Sequence, residues 1–301
     1  MNKKSFKQII KILLILVCFI GISLAYYEDN TRKLTSEDDK ATMETSSKEH
    51  KDDNGEVIFE KPQDKKVKKT FLGEKFPPSF GRDVVKKKKG KDGKKVVFLT
   101  FDDGPSLNNT SKILNVLNDN GIKGTFFVLG KNVDKGEEYG AIVKRMYEEG
   151  HAICSHGYSH NGEFLYPKGV VNIDNVLKEI EDTDKAISKA LGVEYKCKIF
   201  RFPYGEITRI NNHDKNINNA VDMLGRHGIT SIDWTSLTED SVAPAKTTEM
   251  LMNNLKRSSD GKEKIVLLLH DSNQREDTAN MIQQIIDYYK SLGYTFGAFD
   301  I

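Results

Sequence analysis

Lys95-Val96-Val97-Phe98-Leu99-Thr100-Phe101-Asp102-Asp103-Gly104-Pro105-Ser106 decides the fold. From Val96 to Phe101 the residues are apolar, β-branched or aromatic, the composition of a buried strand. The run stops at two adjacent carboxylates and a Gly-Pro, which is turn chemistry. Side chains alternate across an ideal strand, so Asp102 and Asp103 can share one site only where the strand has given way to a loop. Two carboxylates at the end of a buried strand lose hydration that a cation or donors must replace. A metal resolves this by binding one and leaving the other as a base. The competing reading is an Asx-type cap that opens the next helix.

Outward from this stretch, short strands alternate with amphipathic helices. Strands are expected at 96–101, 124–128, 151–155, 198–201, 229–233, 265–269 and 294–299. Between them, 111–120, 138–149, 173–191, 218–227, 247–257 and 278–292 carry apolar residues at helical spacing, and most stop at a glycine. Such alternation predicts an α/β fold, a parallel sheet with helices outside it. About seven units point to a distorted, incomplete (β/α) barrel rather than the closed eight-unit form. Chemistry in such folds sits on loops after the strands, and the polar residues fall there: Asp102 and Asp103, His156 and His160, Arg201 with Pro203-Tyr204-Gly205, Asp233 with Trp234, and His270 with Asp271.

Each group has a task in one cleft and a bland alternative. His156 and His160, four apart, reach one side if they share a helical turn, and paired histidines with one carboxylate are a zinc ligand set that leaves a position open for water. Non-haem iron oxygenases use the same ligands, so ligand type alone names neither metal nor reaction. Arg201 can hold an aspartate bidentately and keep it ionised, or form a surface ion pair. The Pro-Tyr-Gly turn can aim a backbone N–H at an oxyanion. His270 ends an apolar strand and suits proton donation to a leaving group. Trp234, the only tryptophan, can wall a sugar groove or pack in the core.

Together these motifs resemble the five ordered motifs of the polysaccharide deacetylases, carbohydrate esterase family 4, over residues 95–301. The resemblance implies metal-dependent removal of acetyl groups from N-acetylated sugars. It implies Asp102 as general base, Asp103, His156 and His160 as ligands of a divalent metal, most often Zn2+, and Arg201 as the residue that orients Asp102. It further implies the Tyr204 N–H as oxyanion donor, His270 as general acid and Leu268 in the acetyl-methyl pocket, with Tyr204 and Trp234 against substrate. Three positions depart from the family pattern. Gly157 replaces a Ser or Thr, Phe202 a frequent proline, and Thr230 the aspartate that supports the catalytic histidine, a role left to Asp233 or Asp240. The implied substrate is peptidoglycan N-acetylglucosamine, with N-acetylmuramic acid, an exopolysaccharide or acetylated xylan as alternatives. A catalytically inactive glycan-binding wall protein is the reading from another class, and its sign would be a missing ligand or base.

The remainder of the 301 residues sets the context. Lys3, Lys4 and Lys7 precede an apolar run from Ile9 to Tyr27, so 1–27 is expected to be a signal-anchor that crosses the membrane and leaves the catalytic domain outside. Cleavage after Ser23-Leu24-Ala25, giving a secreted protein, is the alternative. Residues 28–94 read as a charged, disordered linker. Within it, Lys86-Lys87-Lys88-Lys89 reads as a solvated run or as an attraction to acidic wall or lipid headgroups. A formal charge of +2 gives no reason to expect nucleic acid, and no protein partner is inferred. Cys154 and Cys197 are expected to be buried thiols.

Overall fold

The computed structural model describes residues 50–51, 57–58, 70–244 and 246–301. The expected membrane segment 1–27 lies outside the described residues, as does most of 28–69; among those described, no helix is long and apolar enough to cross a membrane. The chain divides into two units, Met1–Lys65 and Lys66–Ile301. In the first, His50–Lys51 pairs antiparallel with Val57–Ile58.

The second unit runs β1 (Glu74–Phe76), α1 (Pro78–Val85), β2 (Val96–Asp102), α2 (Asn109–Asp119), β3 (Thr125–Val128), α3 (Gly130–Val133), α4 (Glu137–Glu149) and β4 (Ala152–Ser155). It continues with α5 (Gly162–Leu165), α6 (Ile173–Leu191), β5 (Ile199–Phe200), α7 (Glu206–Asn211), α8 (Ile217–Arg226) and β6 (Thr230–Ser231). It ends with β7 (Ser236–Leu237), α9 (Thr248–Ser259), β8 (Lys264–His270), α10 (Glu276–Ser291) and β9 (Thr295–Phe299). Every pairing in this unit is parallel, in the spatial order β6-β5-β4-β3-β2-β8-β7, a barrel-like sheet with β2 and β8 paired along their full length. Between β6 and β7 no pairing is made among the described residues.

Two expectations need correction. The strand at 294–299 forms, but it is not a seventh stave: on β2 it pairs with Val96 and Val97 alone, at the start of the strand, on the edge that β3 occupies from Thr100 onward. The seventh stave is β7, a two-residue strand with too little periodicity to register. The linker also ends earlier than residue 94. β1 pairs with β9, and Phe76, Phe80 and Val84 plug the lower end of the barrel, because Phe98 and Phe299 there leave apolar surface that must be covered.

The strand period of two explains which side chains face the interior. Val96 and Phe98 of β2 join Val266, Phe127, Cys154 and Ile199 inside, whereas Val97, Leu99 and Phe101 meet Ile113, Leu114 and Ile282 of the helices outside. Burying each such side chain contributes about 1.5–3 kcal/mol relative to exposure. Helices α4 and α6 stop at Gly150 and Gly192 in the left-handed conformation, as expected. Cys154 and Cys197 are buried and unpaired, and burial pushes both thiols up.

Candidate functional site

Further along β2 the inward residues become polar: Thr100 and then Asp102, which ends the strand. Asp103 would point outward if the strand continued. Instead its φ of 73° reverses the backbone and returns the second carboxylate to the same side. Gly104 makes the reversal possible, since a Cβ there would stand 2.3 Å from Oδ2 of Asp271.

Arg201 is fully buried at the end of β5, and each of its three nitrogens donates. Nη1 donates to Asp102 Oδ1 at 2.7 Å and to Thr100 Oγ1 at 2.9 Å. Nε and Nη2 donate to the Ile232 and Asp233 carbonyls at the open seam after β6. The guanidinium also lies 4.0 Å from the Phe127 ring centroid. It therefore grips Asp102 through one oxygen, not bidentately as expected, because its other face serves the seam. Asp102 Oδ2 is left on the cleft side, 3.7 Å from His156 Nε2.

Residues 156–160 are not the helical turn that their spacing predicts. They form a loop in which Gly157 (φ 85°) and His160 (φ 55°) are left-handed, and this loop brings the two imidazoles to 5.1 Å between centroids. Gly157 is required here, because a Cβ would lie 2.9 Å from Glu179 Oε2 at a backbone angle that side chains disfavour. His156 Nδ1 bonds the Arg201 carbonyl at 2.8 Å, so Nδ1 carries the proton and Nε2 presents a lone pair. Burial lowers the pKa of His160, which favours its neutral form.

Both Nε2 atoms face one oxygen. His156 and His160 lie 3.7 and 3.8 Å from Asp103 Oδ1, too far for hydrogen bonds. That oxygen is buried with no hydrogen-bond partner. All three ligand atoms lie within 4.8 Å of one another. Ligands about 2 Å from a tetrahedral ion stand about 3.3 Å apart, so this donor set fits a divalent cation, which would satisfy the bare oxygen of Asp103.

His270 ends β8 in register with Asp102 on the neighbouring strand, and Leu268 in register with Thr100, so all four side chains share the inward face. The support that Thr230 cannot give comes from Asp240: Oδ1 bonds His270 Nδ1 at 2.8 Å, and Oδ2 accepts from the His270 backbone N–H and the Thr278 hydroxyl. Burial opposes the imidazolium, but the Asp240 charge and hydrogen bond outweigh it and raise the His270 pKa to about 9. Asp233 does other work, accepting the Glu206 and Ile207 N–H groups at the start of α7. This fixes the turn that holds Tyr204, whose φ is 67° and whose N–H has no acceptor among the described residues. The Tyr204 ring meets His160 edge-on at 4.8 Å.

Trp234 lies behind Arg201, whose guanidinium is 5.8 Å from its ring centroid. It packs over Gly205 and faces a cavity on the barrel flank. Sequence reasoning missed Glu179, which accepts the Ser159 N–H and hydroxyl, both at 2.6 Å, and so anchors the histidine loop to α6. A carboxylate between Val176, Ile180 and Thr183 on the apolar helix face was the available signal. It also passed over the clamp on the Asp103 loop, where Thr110 Oγ1 donates to Asp271 Oδ2 at 2.6 Å and Ser106 Oγ to the Asp271 carbonyl.

With this geometry in place, comparisons with known proteins agree. The family model for polysaccharide deacetylases matches residues 89–240, stopping short of β8 and His270. Over 209 residues the chain is 32% identical to a peptidoglycan-N-acetylglucosamine deacetylase of Bacillus cereus, covering 69% of this chain and 68% of that one. Among solved structures it is similar to a Streptococcus mutans CE4 esterase, with a TM-score of 0.66, 30% identity and coverage of 75% of this chain and 92% of the other. It is also similar to the catalytic domain of a peptidoglycan N-acetylglucosamine deacetylase from Eubacterium rectale, with a TM-score of 0.60, 26% identity and coverage of 70% and 90%.

Proposed function

The chain belongs to the polysaccharide deacetylase family, a family of hydrolytic deacetylases, and from that premise we propose that it hydrolyses the acetamide of N-acetylglucosamine in peptidoglycan, using zinc held by Asp103, His156 and His160. The observation that carries the reading is the bare, buried Oδ1 of Asp103 facing two imidazole nitrogens, with Asp102 and His270 in register beside it. The inactive binding-protein reading would need a missing ligand or base. None is missing.

When bound, a divalent cation supplies Lewis-acid chemistry, polarising a carbonyl and making a nearby water more acidic. Asp102 takes the proton of the attacking water through Oδ2, the oxygen that Arg201 leaves free. Arg201 holds the carboxylate in one orientation, and Thr100 holds Arg201. As the carbonyl carbon gains its new C–O bond, the Tyr204 N–H donates to the oxyanion, with Leu268 against the acetyl methyl group. His270 then gives its Nε2 proton to the nitrogen as the C–N bond breaks, and Asp240 stabilises the imidazolium until that moment. Acetate and a free amino sugar leave.

The substrate is supported by the similar proteins from Bacillus cereus and Eubacterium rectale, both named for peptidoglycan N-acetylglucosamine. A basic flank followed by an apolar run at 1–27 supports a chain anchored in the membrane with its catalytic unit facing the wall. The test is acetate release from intact peptidoglycan by the full chain, with and without zinc, beside Asp102→Asn. Zinc-dependent release that the substitution lowers by about 10³-fold is expected. Release from acetylated xylan or an exopolysaccharide but not from peptidoglycan would overturn the substrate, and silence on all three would overturn the enzyme reading of the site.

A further inference from the structure

Lys86-Lys87-Lys88-Lys89 takes no part in the hydrolysis, yet it is not a loose tail. Its backbone closes the end of α1: Lys86 N–H donates to the Arg82 carbonyl at 2.9 Å, Lys87 to Val84 at 3.1 Å and Lys88 to Asp83 at 2.8 Å. The turn overhangs a cavity of about 510 Å³ on the flank where β6 and β7 part. Trp234, Ile207 and Val85 give it an apolar wall. Lys87, Lys89, Lys91 and Lys262 stand around it.

The acids of this cavity are committed elsewhere. Glu206 accepts from Arg82, Lys86 and the Ser231 hydroxyl. Asp233 holds α7, and Glu263 accepts the N–H groups of Asp92 and Gly93. Lys264 pairs with Asp92. Among the described residues Lys87, Lys89 and Lys91 have no carboxylate partner. Lys262 is turned inward onto the Thr235 and Ser258 carbonyls. Burial, then the charge of Lys87, pushes its ammonium down, with no carboxylate offsetting either.

Cations held around a cavity without counter-charge attract an anion. Lysines are point charges suited to phosphate oxygens, and several along one rim suit successive phosphates better than a single carboxylate. The apolar wall suits the carbon spacers between them, and a concave site accepts a chain where it would not accept a flat bilayer. We propose that this cavity binds a phosphodiester polymer, its phosphates on Lys87 and Lys89 and its spacers against Trp234. The site is separate from the catalytic cleft and does not depend on the deacetylase reading.

Trp234 is the only tryptophan in the sequence and lines this cavity, so its emission reports on binding there. Short poly(glycerol phosphate) titrated into the full chain in detergent should shift the emission saturably. Affinity should fall about tenfold between about 50 and 200 mM salt, and Lys87→Glu with Lys89→Glu should weaken it by about tenfold or more. The milder Lys87→Gln with Lys89→Gln, confirmed as folded by circular dichroism, should lose less. No shift, a shift that survives charge reversal, or equal binding of polyglutamate would overturn the proposal. A shift caused only by phosphatidylglycerol vesicles would overturn it in favour of a membrane site.

Discussion

Phe98 and Asp102 lie on the same inward face of β2. Phe98 is fully buried, stacked on Phe299 at 4.6 Å and edge-on to Phe76 at 5.3 Å, in a cluster with Val84, Phe127 and Val266. Asp102 is as deeply buried, but it is surrounded by Arg201, His156 and the returned carboxylate of Asp103. The lower half of the strand has satisfied all its surface. In the upper half Asp103 keeps one oxygen with no partner, and Asp103, His160 and Tyr204 sit in left-handed backbone that non-glycine residues adopt at a cost. Stability and chemistry are thus divided along the axis of one strand, and substitutions at its two ends should separate them.

The largest separation is expected at Asp103. Asparagine tolerates the left-handed backbone, so Asp103→Asn should retain the fold while bound metal is lost and turnover falls by about 10³-fold, some 4 kcal/mol of transition-state stabilisation. Metal analysis and melting of the same sample test this; an unfolded variant would break the division. At the other end, Phe98→Ala should lower stability by about 3–5 kcal/mol in denaturant titration, with turnover per folded molecule unchanged. A large loss of turnover would mean that the two ends are coupled.

The His270–Asp240 pair sharpens the contrast, because there a buried charge is fully partnered. His270 donates its proton only when charged, so activity should fall as pH rises through its pKa, and in Asp240→Asn that limb should move about 1–3 units toward acid. The folded value of about 9 exceeds the ordinary 6.5. The contribution of the His270 proton to stability is therefore complete below pH 6.5 and lost as pH rises through about 9. Asp240→Asn should flatten that dependence, and an unmoved limb would remove His270 from the acid role. The smallest effect is expected at Glu179→Gln, which keeps the shape of the histidine loop and weakens its anchor. Metal affinity should fall about tenfold, read by competition with a chelator.

Much of the catalytic cleft is legible in the amino-acid sequence. The apolar run into Asp102, the paired histidines, Arg201 and His270 announce themselves because polar residues at the ends of buried strands have few other reasons to be there. Backbone conformation is not legible: Asp103, His160 and Tyr204 carry no glycine to advertise a positive φ, so the histidine loop reads as a helical turn. The choice between Asp233 and Asp240 depends on which carboxylate the seam between β6 and β7 turns toward His270, a tertiary matter. β7 and the plug formed by β1 and α1 escape notice because two or three residues, or a helix inside a lysine-rich stretch, leave too little periodicity to count.

The pairing of β2 with β8 has a consequence in time. Thr100 bonds the Leu267 carbonyl across 167 residues of sequence, and Asp300 N–H closes on the Phe76 carbonyl across a longer span still. Contacts so distant are the last to be rewarded as a chain folds. A growing polypeptide therefore holds Asp103, His156 and His160 long before it holds His270, and β1 waits unpaired until β9 is made. A chain that stops short of β8 can gather Asp103, His156 and His160, but the proton donor proposed for the leaving amine reaches the cleft only with β8.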